Sequence, residues 1–380
     1  MTANSNTAGL LPGTGTDTAN FTPVYATGTV VLTNANYYTG GTILQSGTLN
    51  INGINALGGG NYGGLTFNGG TLQYAAGFTG NNGSSDLTAI GTAGITFAAG
   101  GGTIDVNGNS INYSGSIGND GSGALTVKSS LANGVLTLQG ANTFTGNTTL
   151  TNVTVLANNV SGSATGSGNV TVQNGATLAG TGAVGNSVSV VAGGTLAPGN
   201  PLGTLSIGNN LTLAAGSTTW LQVQHSPLTN NTVTVAGPLT QGGTLVVTNS
   251  GGSAFAAGDS FALFSAAGYN GAFGSINLPA LSPGLLWSTF RLAVDGTLGV
   301  LSTNPPAINN VSVADNNLVL QGTNGTPNWS YTILSSTDLT LPQAQWLVAG
   351  TGFFDGGGNF TWTNIPSANN PQQFYVIKVQ

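Results

Sequence analysis

Between Val170 and Leu213, apolar and polar positions alternate in short bursts, each broken by a glycine-bearing turn: VTVQNGATLAGTGAVGNSVSVVAGGTLAPGNPLGTLSIGNNLTL. The unit apolar–Thr/Ser–apolar, turn, Thr–Leu occurs at Val170–Leu178 and returns 18 residues later, at Val188–Leu196. A looser copy starts at Leu211. Period-two alternation with repeated turn chemistry marks short strands, and a near-fixed repeat marks a solenoid. One such unit cannot bury its apolar face alone, so the copies must stack. The pattern therefore predicts consecutive coils of a parallel β-helix.

The pattern spreads well beyond that stretch. Asn36–Leu49 (NYYTGGTILQSGTL) aligns without a gap on Asn142–Val155 (NTFTGNTTLTNVTV). Each is followed by a run of mostly small residues, NALG at 55–58 and SATG at 163–166, and then by a strand unit. Further units lie at Leu65–Leu72, Ile95–Ile104, Leu125–Val127 and Val135–Leu138. The solenoid is expected to start at residue 24, with irregular insertions at 76–93 and 107–123. Larger side chains take over after about residue 216, and Phe255, Phe261, Phe264, Phe273, Trp287 and Phe290 are expected to cap the last coils. Thr–Asn–Pro–Pro at 303–306 reads as a linker. Beyond it, strand candidates at Asn310–Val313, Leu318–Gln321, Ser330–Ser335, Trp346–Ala349, Asn359–Thr363 and Phe374–Val379 predict a small antiparallel β-sandwich. The expected organisation is an N-terminal arm or cap at 1–23, a parallel β-solenoid at 24–302 and a C-terminal sandwich at 307–380.

Composition narrows the function classes. The chain has 380 residues, of which 63 are Gly, only 3 are Lys or Arg, and 9 are acidic, all Asp. A charged fraction of 3% compares with about 25% in ordinary globular proteins. Binding nucleic acid requires many cations to neutralise phosphates, and Lys128, Arg291 and Lys378 are too few. Membrane insertion is not expected, because no apolar run reaches the roughly 18 residues of a spanning helix. The start, MTANSNTAGLLPGTG, lacks the basic and apolar regions of a secretory leader. With so few trypsin-type cleavage sites, the chain suits an extracellular or cell-surface location, reached after removal of an export signal outside this numbering. The absence of Cys excludes disulfides and thiolate metal sites.

The paired segments NYYTGGTILQSGTLNI and NTFTGNTTLTNVTVLANN, together with GGTLAPGNPLGTLSIGNNLTL at 193–213, resemble the autotransporter-associated β-strand repeat of bacterial passenger proteins. The resemblance covers most of residues 30–215. It implies a right-handed parallel β-helix exposed outside the cell, without catalytic residues; no translocator barrel is expected to accompany it. The C-terminal pattern is loosely similar to the β-sandwich modules of secreted bacterial proteins.

No residue constellation points to a catalytic, cofactor or metal site. Glycan-active β-helix enzymes need clustered carboxylates. The nine Asp are scattered, and Asp86, Asp105 and Asp120 are the best trio that stacking could assemble. His225 is the only histidine, and no nucleophile elbow accompanies it. Trp220, Trp287, Trp329, Trp346 and Trp362 are candidates for stacking on sugar rings, against the simpler reading that they fill cores and caps.

Assembly is the stronger reading. The ends of a β-helix present unpaired backbone groups, which proteins usually guard with charge, proline or a cap. Charge is nearly absent here, and a net charge of −6 over 380 residues gives weak repulsion between copies. The chain is therefore expected to be an extracellular homopolymer subunit joined head to tail, with itself as partner. Leu10, Leu11 and Phe21 at one end and Phe374, Tyr375, Val376, Ile377 and Val379 at the other are the candidate joint residues. The alternatives are a monomeric surface adhesin or stalk, whose sandwich binds a cell-surface glycan, and the glycan-active enzyme.

Overall fold

The computed structural model describes residues 19–21, 28–33, 35, 36, 38, 40–58, 62–78, 85–89, 94–199, 202–365 and 372–379. They form a parallel β-solenoid followed by antiparallel sheets, with no α-helix among the described residues.

Three parallel sheets wrap the solenoid core. The first joins Ala19–Phe21, Thr42–Leu44, Leu65–Phe67 and Ile95–Phe97. The second has 13 strands and runs from Thr29–Leu32 to Phe264–Gly271. The third has 9 strands, begins at Ser110–Tyr113 and ends at Ser275–Asn277; all pair in parallel except the short Thr229–Asn230, which runs antiparallel to Thr218–Gln224. Strand order follows the chain coil by coil, so each coil pairs with the one before and the one after.

Register follows the repeat read from the sequence. Val170 pairs with Val188 and Val188 with Leu211, while Leu178 pairs with Leu196. Side chains alternate between faces along a strand, so register stacks like residues into columns. On the inner side of the second sheet, Leu49, Leu72, Ile104, Val127, Leu150, Val172, Val190 and Leu213 form one unbroken column. All are buried, and each contributes about 1.5–3 kcal/mol of apolar burial. Phe67 stacks on Phe97 at 5.2 Å between ring centroids, and Phe97 meets Phe144 edge-on at 5.1 Å. The outward column of the same sheet is Thr29, Thr48, Thr71, Thr103, Thr126, Thr149, Thr171, Ser189, Thr212 and Thr240. Threonine suits such a position, because its branched carbon favours strand geometry and its hydroxyl faces water.

Successive coils come too close at one corner for any side chain. A Cβ on Gly146 would lie 2.2 Å from the Gly123 carbonyl oxygen, and one on Gly168 would lie 2.1 Å from that of Gly146. Buried asparagines tie coils together at another corner. Asn36 Nδ2 donates to the Ala56 carbonyl at 2.8 Å, and Asn142 Nδ2 donates to the Ala164 carbonyl at 2.5 Å. These are the same bond at the two places where the sequence segments align.

Four features differ from the sequence expectation. The stack starts at Ala19–Phe21, ahead of residue 24, with Phe21 in register with Leu44. The stretch 107–123 is more than an insertion: Ser110–Tyr113 founds the third sheet, with Ile111 and Tyr113 turned into the core. Parallel pairing ends at Ser275–Asn277, and beside it Ser260–Ala262, Thr297–Ser302 and Leu285–Ser288 make an antiparallel closing sheet. Phe255, Phe261 and Trp287 pack together beside that sheet, at 5.1 to 6.3 Å between ring centroids. Phe290, expected in this cap, is instead exposed.

The C-terminal unit is a sandwich of two three-stranded antiparallel sheets. One orders Ala307–Ala314, Asn317–Thr323 and Phe360–Asn364; the other orders Leu347–Phe353, Ser330–Ser336 and Phe374–Val379. Leu320, Trp329, Tyr331, Ile333, Phe354, Phe360 and Trp362 fill the space between them. All six strand candidates from the sequence fall on these strands.

Candidate assembly surfaces

Asp86 and Asp105 are built into the scaffold, and among the described residues the carboxylates do not converge. Asp105 is fully buried beside the second sheet. It accepts bonds from the Asn107 and Ser130 backbone N–H groups at 3.0 Å each, from Ser130 Oγ at 2.5 Å and from Gln73 Nε2 at 2.9 Å. Gln73 accepts in turn from Asn50 at 2.7 Å, and Lys128 Nζ lies 3.7 Å from Asp105. Asn50, Gln73, Asp105 and Lys128 are successive register partners, so this is one polar ladder along four coils. Burial alone raises the Asp105 pKa, but the bonds from Ser130 and Gln73 with the Lys128 charge outweigh it and hold the pKa below the ordinary value. Asp86 accepts from both the backbone and the hydroxyl of Thr88 and of Ser114, fastening the short turn Leu87–Ala89 to the next coil. Asp120 sits exposed in a left-handed turn at φ 56°. Among the described residues, no three acidic or histidine side chains come together in a metal-binding group.

His225 Nδ1 bonds Asp259 Oδ2 at 2.8 Å, and the same oxygen accepts from the Ala256 backbone at 2.9 Å, so the pair fastens two loops. Two shallow grooves run across the coils. One, of about 500 Å³, is lined by residues such as Gly41, Gly64, Gly94 and Asn119; the other, of about 400 Å³, by residues such as Gly162, Gly185, Ser206 and Thr234. Neither is lined by a titratable side chain. The tryptophans are engaged: Trp329 and Trp362 lie in the sandwich core, Trp287 donates to the Pro279 carbonyl and Trp346 to the Leu341 carbonyl. Trp220 lies half-buried on the third sheet.

The candidate joint residues divide into three groups. Leu10 and Leu11 lie outside the described residues. Phe21 belongs to Ala19–Phe21, which occupies one edge of the first sheet, while Thr29–Leu32 occupies the corresponding edge of the second. Among the described residues, Phe374–Val379 is an edge strand that pairs with Ser330–Ser336 alone. Its faces differ in role. Tyr375, Ile377 and Val379 turn inward and pack on the sandwich core, with Tyr375 5.8 Å from Trp362. Phe374 and Val376 lie on the opposite face, beside Leu334 in the case of Val376. Three of those five candidates therefore pack against the core.

Two further outermost strands expose apolar side chains. Leu347–Phe353 carries exposed Leu347, Val348 and Phe353, and Ala307–Ala314 carries exposed Val311 and Val313. The signal was present as apolar alternation, but alternation alone does not say which strands end up outermost.

No family model matches the chain and no curated protein matches it, so the resemblance to passenger repeats stands on the quoted motifs alone.

Proposed function

We propose that this chain is the structural subunit of an extracellular bacterial homopolymeric filament, assembled head to tail through its ends. In this reading the solenoid is a neutral rod without chemistry of its own, and strand addition makes the joint. The observation that supports the reading is the set of outermost strands near both ends of the described chain, which carry almost no charge. Ala19–Phe21 and Thr29–Leu32 stand at one end, and the outer strands of the sandwich at the other. Edge strands normally carry charge or proline to prevent such pairing; these hold one charged residue, Lys378, and no proline. Two different sticky ends that do not close into a ring produce a fibre.

Light scattering on the purified full chain over a wide concentration range tests the proposal. Open-ended growth in mass with concentration is expected; a monodisperse monomer at high concentration rejects it. Deleting residues 1–22 removes the strand Ala19–Phe21 and is expected to abolish growth. Unchanged growth removes that strand from the joint.

A further inference from the structure

The strand Ala307–Ala314 differs from the other sandwich strands in what covers it. Val311 pairs with Leu320 and Val313 with Leu318, and Leu320 pairs in turn with Trp362. Directly opposed residues share a face, so both valines lie on the core side of their sheet. Leu320 and Trp362 are covered by the facing sheet, where Gly350 leaves room for the Trp362 indole. The valines are not covered: Val311 is 63% and Val313 71% exposed. The sheet overhangs its partner by one strand. Ile308 packs on the core, a register shift follows between Ile308 and Asn310, and every residue from Asn309 to Ala314 is exposed. Beyond the shift the strand is regular, uncharged and unpaired on its outer side among the described residues.

We propose that this edge pairs with the same strand of a second copy, antiparallel about a two-fold axis through Ser312. The sequence AINNVSVA commits the edge to that occupant and register. A two-fold axis at Ser312 sets Val311 against Val313 of the second copy at both symmetry-related positions, and a register is fixed by matching apolar positions across the pair. The neighbouring registers that keep the same faces, with the axis at Val311 or at Val313, set a valine opposite Asn309 or Asp315. The nearest charge is Asp315, which falls opposite Asn309. The two Asp315 carboxylates then lie about six residues apart along the strands, roughly 20 Å, beyond the screening length of about 8 Å at physiological salt. The joint produces one six-stranded sheet with the four valines on its core side. It does not depend on the head-to-tail reading. Alone it closes a dimer; combined with head-to-tail growth it ties two antiparallel filaments side by side. The contact is small beside the roughly 1,200–2,000 Å² of a stable interface, so a lone pair of chains associates weakly and filaments associate through many joints.

The chain contains no Cys, so engineered thiols report the contact without background. Ser312→Cys in the full chain places two thiols on directly opposed positions, whose Cβ atoms stand about 4.5–5.5 Å apart, close to disulfide reach. Under mild oxidation it is expected to give a covalent dimer on a non-reducing gel. Asn310→Cys alone should stay uncrosslinked, whereas Asn310→Cys mixed with Ala314→Cys should crosslink. Adding Val313→Lys to Ser312→Cys should abolish the dimer, with the fold kept because Val313 is exposed. A Ser312→Cys chain that remains uncrosslinked at high concentration overturns the proposal. Equal crosslinking of Asn310→Cys alone overturns the register and reduces the contact to random collision. Filament growth measured in the same samples reports the head-to-tail joint separately.

Discussion

Replacing Asp105 with Ala removes the acceptor around which the polar ladder is built. Four donors lose their partner at once: the backbone N–H groups of Asn107 and Ser130, Ser130 Oγ and Gln73 Nε2. Hydrogen bonds to a charged group contribute about 1.5–3 kcal/mol each, against a desolvation cost of several kcal/mol for the buried carboxylate. The net loss expected is about 3–5 kcal/mol, because the orphaned donors cost about 1–3 kcal/mol each and the removed desolvation penalty offsets part of that. Lys128 adds little, since its side chain is 40% exposed and exposed ion pairs contribute at most about 1 kcal/mol. Stability in a solenoid is a sum of coil and neighbour terms, so the loss should be local. Amide hydrogen exchange is the suitable assay. Amides of Thr103–Asp105 and Thr126–Ser130 should exchange about two to three orders of magnitude faster, taking about 1.4 kcal/mol per tenfold, while coils beyond Val188 stay unchanged. The effect should also depend on pH. Because the folded pKa is lowered, the stabilisation is full above the unfolded value of about 3.9 and fades as pH falls through the folded one. The gap between wild type and Asp105→Ala should therefore narrow in acid. Exchange within about threefold of wild type at neutral pH, or a gap that widens in acid, refutes this account of the ladder.

Asn142→Ala should cost about 2–3 kcal/mol, because it orphans both the Ile117 N–H and the Ala164 carbonyl; a urea midpoint within error of wild type contradicts the coil-tying role. Tyr74 and Tyr113 share a hydroxyl–hydroxyl bond of 2.8 Å in the core, and burial pushes both pKa values up. The unfolded chain then ionises first, so stability should fall as pH rises past about 10. Ultraviolet difference spectra should show these two phenols ionising only on unfolding, and titration in the folded state would contradict their burial. Gly146→Ala should disrupt the coil corner, since its Cβ would lie 2.2 Å from the Gly123 carbonyl. A cost of roughly 1–3 kcal/mol by thermal melting is expected, and a neutral result shows that the corner can open.

Much of the fold was legible because solenoid register is nearly a property of the sequence. Aligning Val170–Leu178 with Val188–Leu196 amounted to reading the hydrogen-bond register itself. Aligning Asn36 with Asn142 picked out two side chains making the same bond. Ser110–Tyr113 escaped because its four residues carry one turn of alternation and resemble the loop around them; only pairing with Val135–Leu138 makes them a strand. Phe290 has the chemistry of a cap residue, but the short turn Phe290–Ala293 buries Leu292 and leaves the ring exposed. The candidate joint was half legible. Composition showed that the edges lack charge, yet whether a strand is central or outermost, and whether the facing sheet covers it, depends on contacts remote in sequence. Hence Tyr375 and Ile377, candidates for the joint, pack against the core, and Asn310–Val313, expected as a strand, is an outermost one with Val311 and Val313 exposed.

Electron microscopy of the concentrated full chain tests self-assembly most directly. Long filaments with an axial repeat comparable to one solenoid are expected, and the chain lacking residues 1–22 should show only single particles. A field of separate, monomer-sized rods from the full chain contradicts the account.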